Sequence, residues 1–321
     1  MRVAVLSGGR SSEHDVSLRS GEAVAKGLAA AGHEALEVRI ARDGSWSFHG
    51  SPVELLPAAG LAGADVAFPA LHGPFGEDGS VQGVLEWLDV PYVGSDVLAS
   101  AVCMDKLTLK RLLAQRGVPQ VGFVAADEEG WRRRCGEMGL PLWVKPSRLG
   151  SSVGISRVES LAGLDAAVEL ARRHDPRVIV EESARGREVE CSLLGNHPVE
   201  ASQPGQIVAH GDWYDYERKY SEGGMELVIP APISAEQATR LRELAASVFE
   251  FAGCSGLARC DFFVEPGGEV LVNEINTMPG FTETSVYAKL WEASGIEYPE
   301  LCDRLVRLAI ERHAESRSHQ Y

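Results

Sequence analysis

The sequence predicts an α/β protein of more than one domain. Three observations carry that expectation. Short apolar runs of strand length alternate with longer segments of helical periodicity from the first residues onward. The turns joining them are rich in glycine and lead into helices. A chain of 321 residues also exceeds what one ordinary core encloses, so two or three domains are expected.

The first strand is Val3-Ala4-Val5-Leu6, followed by the turn Ser7-Gly8-Gly9 and a helix from about Asp15 to Ala31 that ends at Gly32. Asp65 to Ala70 reads as a second buried strand. The loop Leu71-His72-Gly73-Pro74-Phe75-Gly76-Glu77-Asp78-Gly79 leads from it into a helix from Ser80 to Leu88. This alternation predicts a parallel α/β domain ending near Ser95. A helix then starts on Asp105, a good N-cap, carries Leu109, Leu112 and Leu113, and stops at Gly117 ahead of Pro119. Strand Leu142 to Lys145 runs through a glycine-rich loop into strand Ile155 to Val158, and Val178 to Val180 is a third strand. The remainder alternates strands with a long polar loop, about Gln203 to Glu226, and with helices Ala235 to Ala252 and Pro299 to His313.

Composition narrows the function. Hydrophobic residues make up 45% and charged residues 24% of the chain, as in globular proteins. The net charge of −15 repels nucleic acid and anionic membranes, so neither is an expected partner. The apolar run Val3 to Leu6 is too short for a signal peptide, and no run approaches membrane-spanning length. Six scattered cysteines, with no C-x-x-C pair and no histidine placed to complete a zinc site, predict buried thiols in a reducing, cytoplasmic protein.

Two segments could cradle phosphate. Ser7-Gly8-Gly9 has a strand–turn–helix setting but is not G-x-G-x-x-G, and no acidic residue follows at the spacing ribose recognition needs. Gly150-Ser151-Ser152-Val153-Gly154 joins strand to strand, unlike a Walker loop or a Rossmann turn. Its small residues let backbone N–H groups face an anion, and Lys145 ends the incoming strand. A plain hairpin turn accounts for it equally well.

The segment Ala258 to Asn276 carries a stronger signal. Gly267-Gly268 suits a two-residue hairpin loop. Counting back from it sets Asp261 opposite Glu274 and Arg259 opposite Asn276, with Asn276 on the face of Glu274. Two carboxylates opposed in a sheet repel. A divalent cation between oxygen ligands removes the conflict and selects magnesium. The alternative is a solvated polar face, against which stand Phe263, Val270 and Val272, expected to make this face partly apolar.

These pieces together resemble the ATP-grasp ligases, and among them the D-alanine–D-alanine ligase family. The resemblance runs along almost the whole chain. It rests on Ser11-Ser12-Glu13-His14-Asp15-Val16-Ser17, Leu71-His72-Gly73, Gly76-Glu77-Asp78-Gly79, Met104-Asp105-Lys106, Lys145-Pro146-Ser147, Gly150 to Gly154, Tyr214 to Tyr220, and Asn273-Glu274-Ile275-Asn276-Thr277-Met278-Pro279-Gly280. It implies a three-domain ATP-grasp architecture, α/β at the N-terminus and α+β beyond. Residues 1–95 would bind the first substrate, 96–182 would form the central subdomain, and 183–321 would carry the metal site and a lid.

The resemblance also implies roles. Lys106 and Lys145 would meet the ATP phosphates, and Ser152 and Lys219 would also bind the nucleotide. Glu181 would meet the adenine and Glu188 the ribose, with Glu182 and Ala184 of the hinge binding the nucleotide largely through their backbone. Asp261, Glu274 and Asn276 would hold two Mg2+ or Mn2+ ions. Glu13 would take the first D-alanine's ammonium, with His72 beside that substrate. Arg259 and the Gly280 backbone would face the tetrahedral oxyanion, and Ser285 with Lys219 the second carboxylate. Ser151, Tyr220 and Glu13 are expected to form a hydrogen-bonded trio.

The implied reaction joins two D-alanines through an acyl phosphate, for peptidoglycan precursor synthesis, in a homodimer. Water must then be excluded, and the loop holding Trp213 to Tyr220 is the expected lid. Tyr220 favours D-alanine as acceptor; Phe there accompanies D-lactate use in some relatives. A D-alanyl-D-lactate or D-alanyl-D-serine ligase, and an ATP-binding protein without catalysis, are the competing readings.

Overall fold

The computed structural model describes residues 1–56, 60–209 and 225–319. Its first sheet holds β1 (Arg2–Gly8), β2 (Glu34–Ile40), β3 (Trp46–Phe48), β4 (Ser51–Pro52) and β5 (Val66–Pro69), in the order β4-β3-β2-β1-β5. β1 lies parallel to β2 and β5, while β3 and β4 add an antiparallel edge. Helices α1 (His14–Ala30) and α2 (Ser80–Trp87) follow the glycine turns as expected. Gly8 is obligatory in the first turn. Its φ is +96°, and a Cβ there would stand 2.3 Å from the Ile40 carbonyl oxygen.

Helices α3 (Val97–Met104) and α4 (Lys106–Gln115) lead to a four-stranded antiparallel sheet. Its strands are β6 (Phe123–Ala125), β7 (Leu142–Pro146), β8 (Ser156–Val158) and β9 (Val178–Glu182), ordered β6-β9-β7-β8. Helices α5 (Trp131–Met138) and α6 (Leu164–Arg172) complete this unit. It has a core drawn from its own residues, among them Val124, Trp131, Val144, Leu164 and Val180.

A six-stranded antiparallel sheet follows, built from β10 (Arg187–Gly195), β11 (Glu200–Ala201), β12 (Gly205–Ala209), β13 (Met225–Val228), β14 (Gly256–Val264) and β15 (Val270–Asn276). Helix α7 (Ala235–Phe251) packs on it, and α8 (Val286–Ala293) and α9 (Tyr298–Arg317) end the described chain. Leu301, Leu305 and Val306 of α9 share a buried cluster with Val3, Val5, Val24 and Leu28, so the last helix is welded to the first sheet. The expected loop from Gln203 to Glu226 is shorter than predicted. β12 and β13 take up its two ends and pair with each other.

The β14–β15 hairpin departs from expectation in an instructive way. The Glu265 N–H donates to the Glu269 carbonyl and the Gly268 N–H to the Glu265 carbonyl. The loop is therefore the three residues Pro266-Gly267-Gly268, with Gly268 at φ +96° closing it. A β-bulge between Asp261 and Phe262 then leaves Asn273 unpaired and shifts the register by one. The longer loop and the bulge offset each other, so Asp261 still faces Glu274 and Arg259 still faces Asn276. The side-chain phase does change. Val270 and Val272 point into the core, not onto the carboxylate face, because two successive half-buried residues, Asn273 and Glu274, interrupt the alternation.

Candidate active site

Glu13 sits at the N-cap of α1 and is buried beneath the loop after β5. The Ser11 hydroxyl donates to the His72 carbonyl at 2.7 Å and accepts the Glu13 N–H at 3.2 Å, tying the two loops together. The Ser151 hydroxyl, arriving from the loop between β7 and β8, donates to Glu13 Oε1. One carboxylate thus links the first sheet to the four-stranded unit. Gly73 makes room for it, since a Cβ at that residue would lie 2.5 Å from Glu13 Oε2 and its φ is +72°.

The glycine-rich loop does join strand to strand, β7 to antiparallel β8. Ser151 and Ser152 both adopt left-handed backbone, at φ +52° and +59°. Consecutive residues held there carry conformational strain, which persists where the surroundings impose it. Lys106 spans this loop and the carboxylate hairpin. Its Nζ donates to the Leu149 carbonyl at 2.9 Å and stands 3.3 Å from Glu274 Oε2. The helix bearing it is fixed by Asp105, whose Oδ1 accepts the Thr108 N–H at 3.1 Å and the Ser147 hydroxyl at 2.8 Å.

Arg259 is half-buried and grips Asp261 with two hydrogen bonds of 2.7 Å, and its Nε lies 2.8 Å from Glu190 Oε2. Burial alone would lower its pKa, but Asp261 and Glu190 overcome this and hold it well above the usual arginine value. Asn276 Oδ1 accepts the Met278 N–H at 3.1 Å. Asp261, Glu274 and Asn276 offer two carboxylates and an amide oxygen on one face of adjacent strands, with Arg259 and Lys106 as the nearest cations. That donor set is the hard, all-oxygen chemistry magnesium and manganese take, so the residues fit the ion.

Lys145 closes β7, and its Nζ lies 2.6 Å from Glu181 Oε2. Burial opposes charge on Glu181, yet Lys110 and Lys145 hold its carboxyl down at about 2. Lys145 is likewise raised: burial works against it, and Glu181 outweighs burial. Glu182 accepts the Gly122 N–H at 2.9 Å, and Glu188 lies on an exposed part of β10 with its charge felt by Lys145. Gly280 and Ser285 are neighbours, 3.4 Å separating a Cβ on the glycine from Ser285 Oγ, which accepts the Thr282 N–H at 2.9 Å. Ala184 follows β9 at the start of the turn toward β10. Lys219, Tyr220 and the lid expected at Trp213 to Tyr220 lie outside the described residues.

His72 is engaged on both sides of its ring. A carbonyl can only accept, so Nδ1 donates to the Met278 carbonyl at 3.1 Å, and Nε2 accepts the Ser20 hydroxyl at 2.8 Å. Burial lowers its pKa, against the pull of the Glu13 charge. Glu77, behind it, is raised well above the usual carboxylate range by burial and then by Glu13. Sequence reasoning missed Lys110, Glu190 and Ser20. Only Lys110 left a signal, as a lysine one turn after Lys106 on an otherwise leucine-bearing helix face.

The chain matches known families along most of its length. Residues 112–307 match the family described as "D-ala D-ala ligase C-terminus", and residues 2–59 and 54–95 the one described as "D-ala D-ala ligase N-terminus". The D-alanine–D-alanine ligase of Solibacter usitatus is 44% identical over 319 residues, covering 98% of this chain and 97% of that one. That of Deinococcus radiodurans is 46% identical over 334 residues, covering 97% and 98%. Two solved structures are similar throughout. The D-alanine-D-alanine ligase from Coxiella burnetii gives a TM-score of 0.90 at 36% identity, covering 99% of this chain and 96% of that one. VanG D-Ala:D-Ser ligase from Enterococcus faecalis gives 0.87 at 34%, covering 96% and 99%.

Proposed function

The chain belongs to the D-alanine–D-alanine ligase family, and on that premise we propose how its residues divide the work. The activity is ATP-dependent ligation of two D-alanines, a step of peptidoglycan synthesis. In the proposed scheme residues 1–95 bind the first D-alanine, while 96–182 and 183–321 close on ATP. Glu13, held by Ser151, receives the first ammonium, and His72 stiffens the pocket wall. An oxygen of that substrate's carboxylate attacks the γ-phosphorus and ADP departs, leaving an acyl phosphate. The second D-alanine, with its carboxylate on Ser285 and Lys219, loses a proton and attacks the acyl carbon. Arg259 and the Gly280 N–H face the oxyanion, and phosphate leaves.

Lys106, Lys145 and Lys219 neutralise the ATP phosphates, and Ser152 also binds the nucleotide. Glu181, Glu182 and Ala184 border the adenine, and Glu188 the ribose. Asp261, Glu274 and Asn276 would hold two magnesium or manganese ions, which when bound spread the charge of the transferring phosphoryl group. Tyr220 completes the Glu13–Ser151 pair and selects D-alanine as acceptor. A homodimer and a cytoplasmic setting belong to the proposal; six free, buried cysteines suit a reducing compartment.

The observation that carries this reading is Lys106, which stands between the glycine-rich loop and Glu274. A phosphate chain held by that loop would end beside the carboxylates. The test is product analysis by mass spectrometry with ATP, magnesium, D-alanine, D-serine and D-lactate together. D-alanyl-D-alanine is expected as the main product, one ADP for each. A depsipeptide or D-alanyl-D-serine as main product would overturn the acceptor assignment, and no product the scheme.

A further inference from the structure

Lys106 and Lys110 lie one turn apart on α4 and project from one side of it. Lys106 reaches the reaction cleft. Lys110 does not: it is 1% exposed, with its ammonium 5.8 Å from the centre of the Phe123 ring and 3.1 Å from Glu181 Oε1. The other oxygen of the same carboxylate, Oε2, is 2.6 Å from Lys145 Nζ. Glu181 is itself 2% exposed. One buried carboxylate is therefore shared by two lysines, one on each oxygen.

A lysine is an expensive choice for this place. A leucine would extend the apolar cluster of Leu107, Phe123, Ala125 and Ile179 without desolvating a charge. The charge count shows what the lysine adds. Lys145 and Glu181 alone sum to zero, and a carboxylate with no other partner would hold the Lys145 ammonium to itself. With Lys110 on the far oxygen, the trio sums to +1. In a buried setting such a difference acts strongly on an approaching anion.

We infer that Lys110 is a positioning residue for the nucleotide: it offsets the charge of Glu181, so that Glu181 can fix the Lys145 ammonium in place without cancelling its attraction for the ATP phosphates. The depressed Glu181 carboxyl stays ionised through the neutral range. This rests on the proposed assignment of Lys145 to the phosphates.

The test is calorimetric binding of ATP with magnesium, in the absence of D-alanine, set beside binding of adenosine, which has no phosphate. Lys110→Met is expected to weaken ATP binding on the order of tenfold, the size of a typical coupling acting through an intermediate group, and to leave adenosine binding unchanged. Lys110→Arg should restore most of the ATP affinity. Equal loss of ATP and adenosine would reveal a merely structural residue and overturn the inference, as would ATP binding unchanged in Lys110→Met. Lys145→Met separates the two layers. If it binds ATP normally, the phosphate assignment fails and the inference with it; if it alone loses ATP affinity, only the role of Lys110 falls. Should Lys110→Met not fold, Lys110→Gln, which keeps a hydrogen-bond donor near Glu181, replaces it. Failure of both to fold marks Lys110 as structural only and overturns the inference.

Discussion

Glu274 and Asp261 face each other across two strands, and each already leans on a cation, Lys106 in one case and Arg259 in the other. Removing either carboxylate leaves its cation unbalanced and the other carboxylate without its opposite. Asp261→Ala or Glu274→Ala is expected to lower kcat by at least 10²–10³, roughly the loss seen when one electrostatic stabiliser is deleted. Phosphate release on adding D-alanine, followed across a magnesium titration, measures it; near-normal turnover at limiting magnesium would remove the metal assignment. His72 gives a stability effect. Its pKa is lowered in the folded protein, so the unfolded chain binds more protons below about 6.5. Stability contributed by the neutral ring is present above that pH and is lost as pH falls toward the folded pKa. Urea midpoints at pH 5 and pH 8 should differ less in His72→Gln than in the unsubstituted protein. Among single residues, the motifs drew attention to Glu13, Ser151, Lys106 and Glu274, which the fold brings together in pairs. Lys110 left only its place one turn after Lys106, because its importance lies in the carboxylate it meets, seventy-one positions away in the chain.

At the level of elements, local signals read well and long-range ones did not. Asp105 caps α4 as its side chain predicts, and Gly32 ends α1. The pairing of Asp261 with Glu274 was legible because a hairpin is a local object, although the loop length and the bulge were each missed. β2 left a readable trace in Glu34-Ala35-Leu36-Glu37-Val38-Arg39-Ile40, where the buried residues Leu36, Val38 and Ile40 alternate with exposed ones. Helix α5 left almost none, since only Trp131 and Cys135 of its eight residues are buried. Ser234 opens α7 with a complete capping box, its hydroxyl accepting the Gln237 N–H at 3.1 Å while Gln237 Oε1 accepts the Ser234 N–H at 2.8 Å. Ser234→Ala should destabilise the protein by about 0.5–2 kcal/mol in reversible denaturation, without changing the KM for ATP. A change in that KM would place the cap in the nucleotide site.

For the whole molecule, the distribution of buried residues sets what moves. The first sheet, α8, α9 and parts of the six-stranded sheet share one buried cluster, with Leu194 and Leu257 packed beside Val93 and Phe281. The four-stranded unit keeps its own core. Its link to the first sheet is polar, made through Ser151 and Glu13. A unit joined by few apolar contacts moves at lower cost than one welded by a core. Hydrogen–deuterium exchange is therefore expected to show residues 142–158 gaining protection with ATP and magnesium, while residues 298–317 stay unchanged. Protection gained equally by both would mean that the molecule closes by another joint.

Asn273 has a bearing on what mutation can do to this protein. Loss of its single codon would delete none of the proposed metal ligands and leave the turn at Pro266-Gly267-Gly268 intact. It would take out the bulge and nothing else. Val272 and Ile275 are buried with two half-buried residues between them, so without the spare one the strand alternates strictly and Glu274 and Asn276 keep their face. Such a variant would keep its whole inventory of reactive groups on one side of the sheet and lose only the local bend that the bulge imposes.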